Sequence, residues 1–119
     1  MEKINLKQKF RLFQEHWSPK IVGELNGQFV KLAKMKGEFQ WHHHDEEDEL
    51  FLVVKGAFTM KLKDGDLRID EGELIIIPRG VEHCPVAEEE AHILLFEPKS
   101  TLNTGNVRSD RTVEKLGWV

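Results

Sequence analysis

The sequence predicts an all-β domain, a sandwich or barrel of short strands. Three features point there. Apolar residues come in strand-sized runs rather than helix-length ones. Turn signals such as Asn26-Gly27, Asp64-Gly65 and Glu71-Gly72 break those runs at intervals of roughly 8–12 residues. The strands follow one another without intervening helical patterns, which argues against βαβ units.

The elements follow in order. Residues 4–17 carry Ile4, Leu6, Phe10, Phe13 and Trp17. From Leu6 the gaps of four, three and four suit a short amphipathic helix. Pro19 ends it, because the residue before a proline disfavours helix. The same apolar set also suits an extended arm packed on a partner subunit. From residue 21 the period becomes that of strands. They are expected over 21–25 and 29–35, joined by the Asn26-Gly27 hairpin turn. Further strands are expected over 50–54 and 57–62, hinged at Gly56, and over 67–69 and 74–77. The last two are 83–87 and 93–96, separated by an acidic turn at 88–90. Beyond Glu97 the pattern is lost. Residues 100–110, rich in Thr, Asn, Ser and Gly, predict an ordered irregular tail with Trp118 as its anchor. The expected organisation is an N-terminal helix or arm (1–18), a barrel (19–99) and a C-terminal tail packed on it (100–119).

The 119 residues suffice for one domain. Charged residues make up 32% and hydrophobic ones 39%, the balance of a globular rather than a disordered chain. A formal net charge of −4 argues against nucleic acid, whose phosphates need a clustered basic face. Lys31, Lys34 and Lys36 crowd together and read as a solvated strand face. The single cysteine, Cys84, permits no internal disulfide and reads as a packed thiol. No apolar stretch has signal-peptide length, and none nears the roughly 20 residues of a membrane span. The expected location is the cytoplasm, with no membrane partner.

The run Trp41-His42-His43-His44-Asp45-Glu46-Glu47-Asp48-Glu49 is the most informative. Alternate side chains of a strand share a face, so His42 and His44 point one way and His43 the other. Two imidazoles about 7 Å apart along a strand can grip one ion, and imidazole is a common metal ligand. Glu49 opens an apolar strand, where an inward carboxylate needs a partner that a metal can supply. Taken alone, the triplet suits a solvated polar turn equally well. The acids at 45–48 read as an exposed turn. Gln40 shares the face of His42, while Phe51 and Val53 share that of Glu49. With His92, these three form the expected wall of a substrate pocket. Trp41 is expected to face outward, Arg79 to be a solvated turn residue, and His16 to be solvated near the helix end.

A second stretch shifts the balance. Gly72, Pro78, Gly80 and His83 follow the pattern Gly, five residues, Pro-x-Gly, two residues, His. His42, His44, Glu49 and Gly56 follow His-x-His, four residues, Glu, six residues, Gly. Fifteen residues separate the two. On these motifs the sequence resembles the cupin superfamily, in its small single-domain form. Two positions depart from the usual pattern: the spacing from Gly37 to His42, and Ala87 where Asn often stands. The resemblance implies a double-stranded β-helix, the double-sheet jelly roll. It also implies one divalent metal ion held by His42, His44, Glu49 and His83 in the barrel mouth, with two positions left for water or substrate. Such an N/O set suits Mn, Fe, Ni, Co or Zn. Asn103-Thr104-Gly105 and the tail resemble a group of small cupins labelled mannose-6-phosphate isomerase-like, a label that rests on fold.

Two function classes follow. One is a metalloenzyme acting on a small molecule, of the isomerase/epimerase or the dioxygenase type. A phosphosugar isomerase should aim cations into the cavity, and no two such residues are identified on the inward faces. The other is a non-catalytic module that binds or senses a small molecule or metal. Small cupins commonly dimerise, and Phe10, Phe13 and Trp17 offer apolar surface for a homodimer.

Overall fold

The computed structural model describes residues 1–119 as one short helix and seven strands. Strands β1 (Lys20–Leu25) and β2 (Gln28–Glu38) form the expected hairpin. Its turn places Asn26 at φ 51° and Gly27 at φ 77°, the paired left-handed conformation of a tight hairpin that Asn-Gly adopts most readily. Then come β3 (Glu49–Lys55), β4 (Ala57–Leu62), β5 (Leu67–Asp70), β6 (Leu74–Ile77) and β7 (His83–Pro98). Every pairing is antiparallel, in the order β1-β2-β7-β3-β6, with β4 joining β7 to β5.

The long strand β7 closes the barrel. Residues 83–86 pair with β4, residues 92–96 pair with β3, and β2 runs beside nearly the whole length. The acidic turn expected at 88–90 does not form. Those three glutamates stay within the strand as exposed residues. A register irregularity opposite them, between Met35 and Gly37 of β2, lets β7 bend from one sheet to the other without breaking. Alternate residues of the strands then meet inside. Met35, Phe51, Val53, Phe58, Met60 and Ile93 are among the buried residues of the barrel core.

The N-terminal segment is helical only over α1 (Leu6–Phe10), which the Asn5 side chain caps by accepting from the Gln8 amide at 3.0 Å. The helix does not run on to residue 17, because the chain there finds β2 instead: the Trp17 amide donates to the Lys34 carbonyl at 2.9 Å. The apolar period still has meaning. Phe10 and Phe13 are buried with Val22 and Leu32 on the outer face of the chain's own sheet. They are therefore not available to a partner subunit.

The lysine cluster is a second correction. Lys31 is 1% exposed and points into the barrel with Ala33 and Met35, whereas Lys34 is 5% exposed beneath the N-terminal segment. Only Lys36 is solvated. The C-terminal tail docks on β1: the Ile21 amide donates to the Gly117 carbonyl at 2.9 Å, and the Val119 amide to the Ile21 carbonyl at 3.0 Å. Val119 packs on the outer cluster. The Trp118 ring is 59% exposed, so the backbone and Val119 anchor the tail more than the indole does. No helix is long and apolar enough to cross a membrane.

Candidate metal centre

Four buried side chains, His42, His44, Glu49 and His83, each offer one ligand atom, and these atoms all lie within 4.8 Å of one another. The backbone brings them together. His42 and His83 pair directly: the His42 amide donates to the His83 carbonyl at 3.1 Å and the His83 amide returns the bond at 2.9 Å. The Gly80 amide donates to the His44 carbonyl at 2.7 Å, so the Pro-x-Gly turn grips the irregular segment that carries the first two histidines. Glu49 begins β3, on the inward face it shares with Phe51 and Val53.

Two of the imidazoles are oriented for ligation. His42 Nδ1 donates to the Gln40 carbonyl at 2.9 Å, and His83 Nδ1 to the Val81 carbonyl at 2.8 Å. A carbonyl can only accept, so both rings carry their proton on Nδ1 and present Nε2 as a lone pair, as metal-binding histidines do. Burial, with the neighbouring His83 and His44, lowers the His42 pKa to about 4. It is thus neutral and free to ligate at pH 7. Burial alone would push the Glu49 carboxyl up, but His44, His83 and Glu97 beside it outweigh burial and hold it below the usual carboxylate range.

The fit to a cation rests on orphaned atoms. His44 Nε2 lies 2.8 Å and His83 Nε2 3.2 Å from Glu49 Oε1. All three atoms are buried, yet none makes a well-directed hydrogen bond. Buried polar atoms are otherwise nearly always satisfied. A cation between them satisfies all three. Ligand atoms each about 2.1 Å from one ion are at most about 4.2 Å apart, so a small inward shift completes the site.

The tail buttresses the histidine segment. The Asn106 amide donates to the His43 carbonyl at 3.0 Å, and the His43 amide to Asn106 Oδ1 at 2.9 Å. Gly105 sits between them at φ 57°. A Cβ there would meet the His43 carbonyl oxygen at 2.2 Å and His42 Cδ2 at 3.0 Å, so no side chain fits.

Beside the four side chains lies a narrow pocket of about 40 Å³. His42 and Glu49 lie on its polar side, with Glu97 and Asn103. Met35, Phe51 and Leu95 form its apolar wall, and Trp17 and Phe39 also line it. Those two rings stack with centroids 4.8 Å apart. Trp17 reaches there at φ 59°, donating from its indole to the Lys36 carbonyl at 2.9 Å.

Of the residues expected to wall the pocket, Phe51 does so. Val53 packs deeper in the core. Gln40 places His42 through its carbonyl, but its amide is taken up by the tail, donating to the Val107 carbonyl at 3.2 Å and accepting from Ser109 at 2.8 Å. His92 is on the other face of the sheet, stacked on Phe10 at 4.4 Å, because Ile93 and Leu95 take the inward positions of β7. His43 does point away, to Glu82 at 2.8 Å and Asp45 at 2.9 Å. Arg79 is an exposed turn residue bound to Asp48, and Cys84 is buried. Trp41 lies under the Lys63 ammonium at 4.3 Å.

The residues missed are Trp17, Phe39, Lys31, Glu97 and Asn103. Lys31 Nζ is 2.6 Å from Glu97 Oε2, with both side chains almost wholly buried. The other Glu97 oxygen has no partner. Burial, and then the charge of Glu49, push the Glu97 pKa well above the carboxylate range, with Lys31 pulling the other way. Strand alternation could have found the pair: Lys31 shares a face with Ala33 and Met35, and Glu97 with Ile93 and Leu95.

The family model described as "Cupin domain" matches residues 28–97. Among solved structures, a cupin-2 domain containing protein from Shewanella frigidimarina is 44% identical, with a TM-score of 0.80 over 81% of this chain and 94% of that one. Among curated proteins, the 3-hydroxyanthranilate 3,4-dioxygenase of Ruegeria pomeroyi is 36% identical over 63 residues, 49% of this chain and 35% of that one. An acireductone dioxygenase of Sulfurihydrogenibium is 36% identical over 66 residues, 52% of this chain and 37% of that one. This chain spans between about a third and just over half of the length of the curated relatives it matches. The structural likeness makes the barrel a jelly roll, as the motifs imply.

Proposed function

We propose, from the premise that this chain belongs to the cupin family, that His42, His44, Glu49 and His83 bind one divalent metal ion and that the protein is a metal-dependent dioxygenase of a small molecule. The observation that carries the reading is the convergence of His44 Nε2 and His83 Nε2 on Glu49 Oε1, all buried and all without a hydrogen bond. A divalent ion so placed polarises substrate oxygens and, when redox-active, supplies the means to use dioxygen. The chain's own residues do the rest. Met35, Phe51 and Leu95 exclude water, Trp17 and Phe39 complete the wall, and the free Glu97 oxygen is left to hydrogen-bond substrate.

Two considerations favour oxidation over sugar isomerisation. The relatives at 36% identity named above are dioxygenases. The buried inward lysine, Lys31, is already paired with Glu97 and leaves no free cation for a sugar phosphate. The test is oxygen uptake by chain loaded with Fe(II), and in parallel with Mn, Co, Ni or Zn, on 3-hydroxyanthranilate and on an acireductone. Metal- and substrate-dependent uptake is expected. Tight metal binding with no uptake on either would favour a second reading, a non-catalytic module that binds a metal or small molecule. The pocket's size supports that alternative, since about 40 Å³ admits only about three waters. We assign the protein to the cytoplasm, consistent with its one free cysteine.

A homodimer belongs to the same proposal, through a different surface from the N-terminal segment. Register places Ile76, Leu50 and Phe96 in one row, with Leu52 and Leu74 in the next. Leu74 and Ile76 are 54% and 55% exposed. A contiguous apolar patch of this kind marks an interaction surface. Sedimentation at micromolar concentration should give a dimer mass, and Leu74→Asp with Ile76→Asp should give a monomer. A monomeric unmodified chain would refute it.

A further inference from the structure

A groove of about 720 Å³ lies between α1 and strands β2, β3 and β7, and shares no lining residue with the metal pocket. Its lining is basic: Lys7, Arg11, Lys34 and Lys55, with His92 among them. Glu71 is the one acid, and one of its oxygens accepts from the Gly56 amide at 3.2 Å. The four cations form none of the molecule's salt bridges, which engage other lysines and arginines.

Sheet register creates the concentration. Lys34 of β2 stands opposite His92 of β7, and Lys55 of β3 stands opposite His92 on the other side. Three basic side chains thus form one row across three strands, an arrangement that destabilises a sheet when like charges face each other. Lys34 sharpens the point. It is 5% exposed, and its ammonium has only the Phe13 carbonyl at 2.7 Å and the Phe13 ring at 5.1 Å. Buried charges are ordinarily paired with an opposite charge. Burial, then Lys34, also holds the His92 pKa below its usual value, so further positive charge is already disfavoured there. The chain as a whole is net negative, so the basic groove is not a reflection of composition.

We infer that this groove is a second binding site, for a small molecule carrying phosphate or carboxylate oxyanions. Such a group supplies the counter-charge that Lys34, Lys55, Lys7 and Arg11 all lack. Arg11 offers the planar fork that binds two oxyanion oxygens, and the lysines act as point charges. The volume falls within the range of about 300–1,000 Å³ typical of small-molecule pockets.

The experiment titrates inorganic phosphate, and separately succinate, into the full isotope-labelled chain at low ionic strength, following backbone amides by NMR. Saturable shifts confined to residues 7–14, 34, 54–55 and 92 are expected with at least one probe. Arg11→Glu and Lys55→Glu, both at exposed positions, should weaken binding at least tenfold, while Lys36→Glu, outside the groove, should leave it unchanged. Saturation by phosphate alone assigns a phosphorylated ligand, by succinate alone a carboxylate, and by both a general oxyanion site. Absence of saturation with either probe overturns the inference. So does binding that survives both groove variants, or that falls equally in Lys36→Glu.

Discussion

His83→Ala is expected to lose metal affinity by more than about 100-fold, beyond the 10- to 100-fold that removing an outer partner of a ligand costs. His83 is the most constrained of the four side chains. It is fully buried, its backbone pairs with His42 in both directions, its Nδ1 is tied to the Val81 carbonyl, and its Nε2 lies 3.2 Å from Glu49. A factor of 100 corresponds to about 2.7 kcal/mol. Competition with a chromophoric chelator reads the affinity directly, and thermal unfolding gives an independent measure. Metal at about 100 times its dissociation constant should stabilise the unmodified chain by about 2.7 kcal/mol and the variant by less than about 0.4 kcal/mol at the same concentration. His43→Ala is the contrast. Its imidazole bonds Glu82 and Asp45 outside the centre, so metal affinity should be retained. Equal stabilisation of His83→Ala and the unmodified chain would remove the four-ligand site.

The four candidate ligands were legible because each obeys a short-range rule. The alternation expected of an extended segment separates His42 and His44 from His43, and the two motif spacings single out Glu49 and His83. The hairpin at Asn26-Gly27 was legible for the same reason, since both residues adopt the backbone that the turn requires. What escaped depends on partners distant in the chain. Lys31 and Glu97 lie 66 positions apart. Each alone looks solvated, and only the pairing of β2 with β7 makes their common burial tolerable. Trp17 has the spacing of a helix-face residue, but its amide and indole bond Lys34 and Lys36, which turns the ring to the barrel mouth. His92 illustrates how one position of parity moves a residue from pocket to outer groove: Ile93 and Leu95 face the core, so their neighbour must face out. The bend of β7 at 88–90 was hidden by acids that resemble a turn yet continue the strand without a break.

Lys31→Met is expected to destabilise the folded chain by about 3–5 kcal/mol, the range for removing one partner of a buried ion pair. Lys31 Nζ lies 2.6 Å from Glu97 Oε2 and 3.4 Å from the Thr101 carbonyl. Methionine fills most of the volume but leaves Glu97 beside Glu49 with no cation. Glu97 is 2% exposed and its other oxygen is already unpartnered, so loss of the ammonium leaves a buried carboxyl short of partners. Urea unfolding of Lys31→Met, Glu97→Gln and the double variant separates the terms. Most of the loss should return in the double variant, because a buried pair replaced by well-packed neutral groups is often tolerated. A Lys31→Met change below about 0.5 kcal/mol, the scale of a surface substitution, would place Lys31 in solvent after all. The same variants connect the pair to the centre. Glu97 and Glu49 line one pocket, and the charge of Glu49 already raises the Glu97 pKa, so loss of Lys31 removes the charge that favours ionised Glu97. Metal bound at Glu49 becomes the nearest counter-charge for both. Added metal should therefore restore more stability to Lys31→Met than to the unmodified chain at equal site occupancy. A lysine that merely filled space in the barrel would produce no such difference.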